Sequence, residues 1–351
     1  MTPLHALSDL HTLEFDTIID VRSPSEFAED HIPGAINLPV LSDEERALVG
    51  TEYKQISPFT ARKRGAALVF HNAANHIETQ LSHHEGSWRP LVYCWRGGQR
   101  SGALGWMLKE IGWRADTLQG GYKTFRRLVV RALYTDALPH KLVLLAGYTG
   151  TAKTELLQRL EGMGTQTLDL EKLANHRGSL LGDGDAPQPS QKGFETALAM
   201  ALTRLDPAAP VLVEAESSKI GQRMIPPSLW TAMCAAPMIT VEAPLEARAR
   251  YLARAYTDIL ADKTELMRKL DVLRQFRGHA VVDGWGALSA AGDDVALCQA
   301  LAEEHYDPAY ATSMREKTQR VAAQITAYDL TDAALNATAR RIQSALQTIS
   351  I

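Results

Sequence analysis

The sequence predicts an α/β protein with two parallel-sheet domains in series, the second running into a mostly helical stretch. Three observations carry this. Short apolar runs alternate with helical periodicity, as strand–helix–strand units of a parallel sheet do. One run, Leu91–Cys94, ends on a cysteine, followed by a Gly/Arg loop and a helical pattern over Gly102–Ile111. Another, Leu142–Ala146, leads into Gly147-Tyr-Thr-Gly-Thr-Ala-Lys-Thr154 and a helical pattern over Glu155–Leu160.

In chain order, Thr17–Val21 reads as a buried strand and Ser25–Glu29 as a brief helix, and His31–Pro39 turns back into a second strand. Glu44–Tyr53 and Ala61–Glu78 have helical spacing. After Leu91–Cys94 and its helix, Asp116–Tyr122 gives strand and turn, and Phe125–Leu133 another helix. Pro139 breaks the pattern and marks a boundary. Further strands are expected at Gln166–Leu168, Val211–Glu214 and Met238–Val241, with Leu181–Lys192 as an exposed loop. The expected domains are 10–135, 139–245 and a helical subdomain, 246–351.

The 351 residues suffice for two cores. No apolar stretch reaches the roughly 18 residues of a membrane span, and Met1–Ala6 lacks signal-peptide character. Three scattered cysteines, Cys94, Cys234 and Cys298, fit neither a disulfide framework nor a zinc site. A cytoplasmic location and no membrane partner are the expectation. A net charge of −4 argues against general coating of polyanions. Local basic clusters remain: Arg62–Arg64, Lys123 with Arg126, Arg127 and Arg131, and Arg248 with Arg250 and Arg254. They suit either nucleic-acid phosphates or solvated helix faces.

Cys94 is placed for reactivity. Loop N–H groups and a helix N-terminus stabilise negative charge there, Arg96 and Arg100 add to it, and such settings lower a thiol pKa from about 8.5 to roughly 3.5–7.5. The same cradle would hold a tetrahedral oxyanion, so sulfur, selenium and phosphorus chemistry all remain open. Residues 147–154 form the P-loop pattern, with Ala152 at its second fixed glycine. Loop amides from Gly147 to Gly150 would wrap a diphosphate, Lys153 would reach the outer phosphate, and Thr154 could ligate Mg²⁺. Asp169, Glu214 and Glu216 are strand-end acids that could orient a metal or water, or be plain surface residues. His176 and Arg177 place donors in a loop suited to an anion or RNA. Lys123, Arg126 and Arg127 are candidate RNA contacts, and Trp95, Tyr122 or Tyr148 could stack on a base, although aromatics more often pack internally.

Asp20-Val-Arg-Ser-Pro-Ser-Glu-Phe27, His31–Pro39 and Leu118-Gln-Gly-Gly-Tyr122, with the cysteine loop between them, resemble the signatures of rhodanese domains. Five residues separate Cys94 from Arg100, where ordinary rhodaneses have four. That spacing resembles the related dual-specificity phosphatases. With the P-loop and the blocks Tyr93–Gly98, Leu168–Ser179, Gln188–Glu195, Glu214–Gly221 and Tyr306–Tyr310, the chain resembles the tRNA 2-selenouridine synthase family. It departs at Ala152 for Gly, Lys219 for Arg and Leu180-Leu181 for Ala-Phe.

The resemblance implies an N-terminal rhodanese-like domain, a P-loop NTPase-like α/β domain and a helical C-terminal subdomain. It implies replacement of sulfur by selenium in the wobble 2-thiouridine of tRNA, with Cys94 carrying the selenium and Arg96 and Arg100 holding selenophosphate. Geranyl diphosphate would first alkylate the sulfur. No tightly bound cofactor is expected beyond Mg²⁺ as a candidate ion. The implied partners are the tRNA anticodon stem-loop and an enzyme supplying selenophosphate. The alternatives are a rhodanese-type sulfurtransferase or a dual-specificity-like phosphatase, either with a regulatory P-loop domain.

Overall fold

The computed structural model describes residues 1–178, 181–182, 186–315 and 320–349. It divides into two compact units, Met1–Ala137 with Pro189–Arg204 and Leu138–Gln188 with Leu205–Ile351.

The first unit is built on β1 (Thr17–Asp20), β2 (Ala35–Asn37), β3 (Pro90–Tyr93) and β4 (Asp116–Thr117), all parallel in the order β2-β1-β3-β4. Every residue of β3 is buried, which is why its sequence is continuously apolar rather than alternating. Register sets Asp20 beside Tyr93, so β1 and β3 end together and Cys94 emerges at the carboxyl edge of the sheet. The helix Gln99–Ile111 packs Leu104 and Leu108 on Ile19 and Val92. The helix expected from Phe125 starts at Gly121, because Gly120 (φ 72°) turns the chain directly into it.

The helix Gln191–Leu202 corrects the expected domain 139–245, for it belongs to the first unit. Its buried face carries Phe194 and Leu198. Thr196 Oγ1 donates to Asp30 at 2.9 Å, and Glu195 accepts from Tyr134 at 2.6 Å and pairs with Arg126. The loop expected over Leu181–Lys192 therefore ends early: Ser190 Oγ accepts from Gly193 N and caps this helix. Residues 183–185 of that loop lie outside the described residues, as do Ser179 and Leu180.

The second unit has β5 (Lys141–Ala146), β6 (Gln166–Leu168), β7 (Pro210–Glu214), a small hairpin of β8 (Lys219–Ile220) and β9 (Arg223–Met224), β10 (Met238–Glu242) and β11 (Val321–Thr326). The main sheet is parallel in the order β11-β10-β5-β7-β6. β5 is central, between β10 and β7, so the loop that follows it opens into the crevice at the carboxyl ends of the strands. The span 246–351 is not wholly helical. β11 extends the sheet, and the helix Asp332–Leu346 packs Leu335, Ala339 and Ile342 into the same core as Leu156 and Leu160. The helices between Leu245 and Leu301 form their own core around Leu266, Trp285 and Leu297. No described helix is long and apolar enough to cross a membrane.

Candidate functional site

Two sites emerge, one per unit. At the first, Cys94 is 4% exposed, and its Sγ accepts from the Gly98 amide at 3.3 Å and from Ser101 Oγ at 3.2 Å. Burial opposes ionisation, but hydrogen bonds from the Ser101 hydroxyl and from the Ser101, Gly98 and Arg96 amides outweigh it and hold the thiol below its ordinary pKa. The cradle forms because glycines let two turns touch. A Cβ on Gly121 would sit 2.2 Å from the Cys94 carbonyl oxygen, and one on Gly97 would sit 2.7 Å from that of Leu118. Tyr122 N then donates to the Cys94 carbonyl and Lys123 N to that of Trp95, each at 2.9 Å.

Behind this cradle lies a buried ion pair of Asp20 and Arg22. Arg22 Nη2 donates to Asp20 at 2.6 Å and to the Asp30 carbonyl at 2.6 Å, and its guanidinium lies 3.9 Å over the Tyr122 ring. Tyr122 in turn donates to Asp30 Oδ2 at 2.7 Å. Tyr122 is thus 2% exposed and fixed, so it is not a platform for a base.

A cavity of about 540 Å³ opens at Cys94, walled by Trp95, Arg96, Arg100, Glu26 and Arg46. Arg96 is exposed. Arg100 is paired at 3.1 Å with Glu26, which also takes Arg46 at 3.0 Å. Burial raises the Glu26 carboxyl, but Arg100 and Arg46 bring it below its ordinary pKa.

At the second site, Lys153–Gly162 forms the helix after the loop, with Ala152 as its N-cap in the left-handed region (φ 59°, ψ 33°). A glycine would take this conformation freely; alanine accepts about 1–2 kcal/mol of local cost, offset by burying its methyl group, about 0.8 kcal/mol. Ala152 is 4% exposed and packs in the core with Leu156. Lys153 Nζ lies 3.0 Å from the Gly147 carbonyl. Thr154 Oγ1 lies 2.9 Å from Glu171 and 2.7 Å from Glu214.

Glu171, Glu214 and Glu216 converge, with one oxygen of each within 4.8 Å of the others. Burial, then the charge of Glu216, pushes Glu171 up to about 7. Burial and Glu171 hold Glu214 well above the carboxylate range. Glu216 is raised by burial, against the pull of Lys153. Three carboxylates that resist joint ionisation could hold a divalent cation.

Asp169, by contrast, is the N-cap of the helix Leu170–Ala174 and accepts from Lys172 N at 2.8 Å, so Glu171 takes its expected place in the cluster. Gly178 (φ 69°) passes so close that a Cβ there would meet Glu171 at 2.3 Å. This brings the His176–Gly178 loop to the acids. Arg177 is paired with Asp258 at 2.9 Å and lines the same cavity. His176 Nδ1 accepts from Gly178 N at 3.0 Å.

The basic residues divide. Lys123 and Arg127 are exposed on the first unit. Arg126 is tied to Glu195 and Arg248 is buried against Asp307, so neither presents a free charge to RNA.

Residues 3–128 match the rhodanese-like domain, and residues 140–280 match the domain described as the tRNA 2-selenouridine synthase AAA domain. A tRNA 2-selenouridine synthase from Hahella chejuensis is 35% identical over 342 residues, covering 87% of each chain. The chain belongs to the tRNA 2-selenouridine synthase family. Proteins of the same name from Chromohalobacter salexigens (40% identity, 69% of this chain and 66% of the relative) and Nitrosomonas europaea (38%, 66% and 61%) are further relatives.

Within this family frame, the sequence missed Ser101 as a donor to the thiolate and Glu171 as a cluster acid. Both left a signal. Ser101 directly follows Arg100 in the cysteine motif, one turn into the helix, and Asp169-Leu-Glu-Lys172 has the spacing of an N-capped helix that carries Glu171 inward.

Proposed function

We propose that the protein replaces sulfur by selenium in the wobble 2-thiouridine of tRNA, with selenophosphate as selenium donor and a geranylated intermediate made from geranyl diphosphate. The observation that carries this reading is the presence of two prepared sites in one chain. One is a thiolate cradled by hydrogen-bond donors. The other is a P-loop whose cavity, about 1080 Å³, is walled by Trp230, Met233, Met238, Tyr251, Leu252 and Tyr310 as well as by Lys153. The apolar residues of this wall would take the tail of a prenyl diphosphate whose head lies at Lys153.

Cys94 then serves as the nucleophile toward selenophosphate, in reach of Arg96 and Arg100. Its thiolate attacks phosphorus, the P–Se bond breaks, selenium leaves at the selenide level to displace the alkylated sulfur, and water releases phosphate from Cys94. The pairing with Glu26 means an incoming phosphoryl group competes for Arg100. Gly147, Gly150 and Lys153 face the diphosphate. A purified preparation given 2-thiouridine tRNA and both donors is expected to yield 2-selenouridine by nucleoside mass spectrometry. Selenium persisting at the wobble uridine in cells lacking the gene would rule the reading out.

The residues at Thr154 fit Mg²⁺: hard oxygen donors, three of them carboxylates, gathered around a hydroxyl. The ion would neutralise charge building on the diphosphate as it leaves. A pH signature follows without turnover. Because the folded-state pKa of Glu171 is raised to about 7, the acid-linked stability is full below about pH 4.3, the unfolded value. It declines as the pH rises and is lost above 7, where the crowded carboxylates must ionise together. Mg²⁺ is therefore expected to raise the melting temperature more at pH 8 than at pH 5.5. Equal shifts at both pH values would remove these carboxylates as the cation site.

A further inference from the structure

The helix Gly121–Val130 has two faces. Tyr122, Phe125 and Val129 are buried, while Lys123 and Arg127, four residues apart, are exposed on one stripe that continues to Arg131. Along that stripe runs a groove of about 480 Å³, with an almost wholly apolar floor of Trp95 and Val130 and rims of Lys123, Arg127 and Arg131. Trp95 lines both this groove and the cavity at Cys94, so one residue borders the two. That indole rests on the fixed Tyr122 ring, at 5.3 Å between centroids, and its carbonyl is held by Lys123 N. Arg131 pairs at 2.9 Å with the exposed Asp136, and Arg126 is committed to Glu195, so the rim charges with no carboxylate partner among the described residues are Lys123 and Arg127, the latter donating to Thr124 Oγ1 at 3.4 Å.

We infer that this groove binds a single-stranded RNA loop, with Lys123 and Arg127 on successive phosphates and Trp95 stacked on the base next to Cys94. This rests on the proposed action on tRNA. An exposed cation row alone would suit any polyanion, but an aromatic floor between cations is the arrangement that holds unstacked bases. The chemistry asks for it too. Position 2 of a uracil must leave its stack before a buried thiolate can approach it, so the substrate segment at Cys94 is a splayed loop rather than a paired stem. Trp95 belongs to the cavity wall and the groove floor at once, which sets the stacked base beside the sulfur.

The test is binding of the full-length protein to a stem–loop RNA with unpaired uridines, followed against salt concentration. Lys123→Ala/Arg127→Ala is expected to weaken binding roughly tenfold and to flatten the log–log salt slope by about 1.4, since each single-strand phosphate contact contributes about 0.7. Trp95→Ala is expected to lose about 5- to 150-fold, with Trp95→Phe keeping most of the affinity. Should Trp95→Ala misfold by melting analysis, the exposed Lys123/Arg127 pair still decides.

Unchanged affinity and slope in the double variant would overturn the assignment. So would a blunt duplex that binds as well as the loop with the same sensitivity, or polyglutamate of matched charge competing as well as RNA, which would make the face a surface for acidic proteins. The measurement needs neither donor nor turnover, so failure of the proposed chemistry would leave its readout intact.

Discussion

Replacing Cys94 by alanine is expected to lower selenium transfer to tRNA by on the order of 10³-fold or more, the scale of losing an activated nucleophile. Under the proposed function prenylation belongs to the other site and should persist, so alkylated tRNA should accumulate and be read by nucleoside mass spectrometry. Ser101→Ala separates the sulfur from its activation. A hydrogen bond to a charged group is worth about 1.5–3 kcal/mol, which corresponds to roughly one to two pH units. The midpoint of Cys94 alkylation by iodoacetamide against pH should therefore move upward by about a unit or more. A midpoint that stays in place would show that Ser101 does not stabilise the thiolate. Selenium transfer surviving in Cys94→Ala would eliminate that thiolate as the nucleophile.

The second large effect falls on stability. Arg22 and Asp20 are 1% and 0% exposed, and Arg22 also fixes the Asp30 carbonyl and the Tyr122 ring beneath the cysteine loop. Arg22→Met leaves Asp20 charged and alone in the interior, and is expected to cost about 3–5 kcal/mol in a urea titration. Removing both charges, as Asp20→Leu with Arg22→Met, should restore much of that loss, giving a coupling energy of the sign expected for neighbours. A cost below about 1 kcal/mol for Arg22→Met would mean that the pair does not brace the loop.

Much of this was legible in the chain. Both sheets announced themselves because buried parallel strands are continuously apolar, as in Pro90–Tyr93 and, within β5, the five residues from Leu142 to Ala146. Both loops were placed by strand–loop–helix order. What escaped was set by long-range pairing. Val321–Thr326 is an edge strand with half its residues outward, so its apolar signal is diluted among helices. The fate of Arg126 and Arg248 depended on carboxylates, Glu195 and Asp307, that lie 69 and 59 residues away. Asp169 and Glu171, two residues apart, exchanged roles because the first caps a helix and the second turns inward from it. Charge type can be read from a sequence, but a charge's partner is fixed only by the fold.

The helix Gln191–Leu202 gives the chain an unusual indivisibility. The backbone passes between the units near residues 137, 188 and 204, so no single cut separates them. A chain severed at 137 would leave one fragment with Asp30 and Arg126 stripped of Thr196 and Glu195, and the other with Phe194 and Leu198 turned out to water. Neither half is a self-sufficient heirloom. A chain trimmed to either half would be a protein with an open seam.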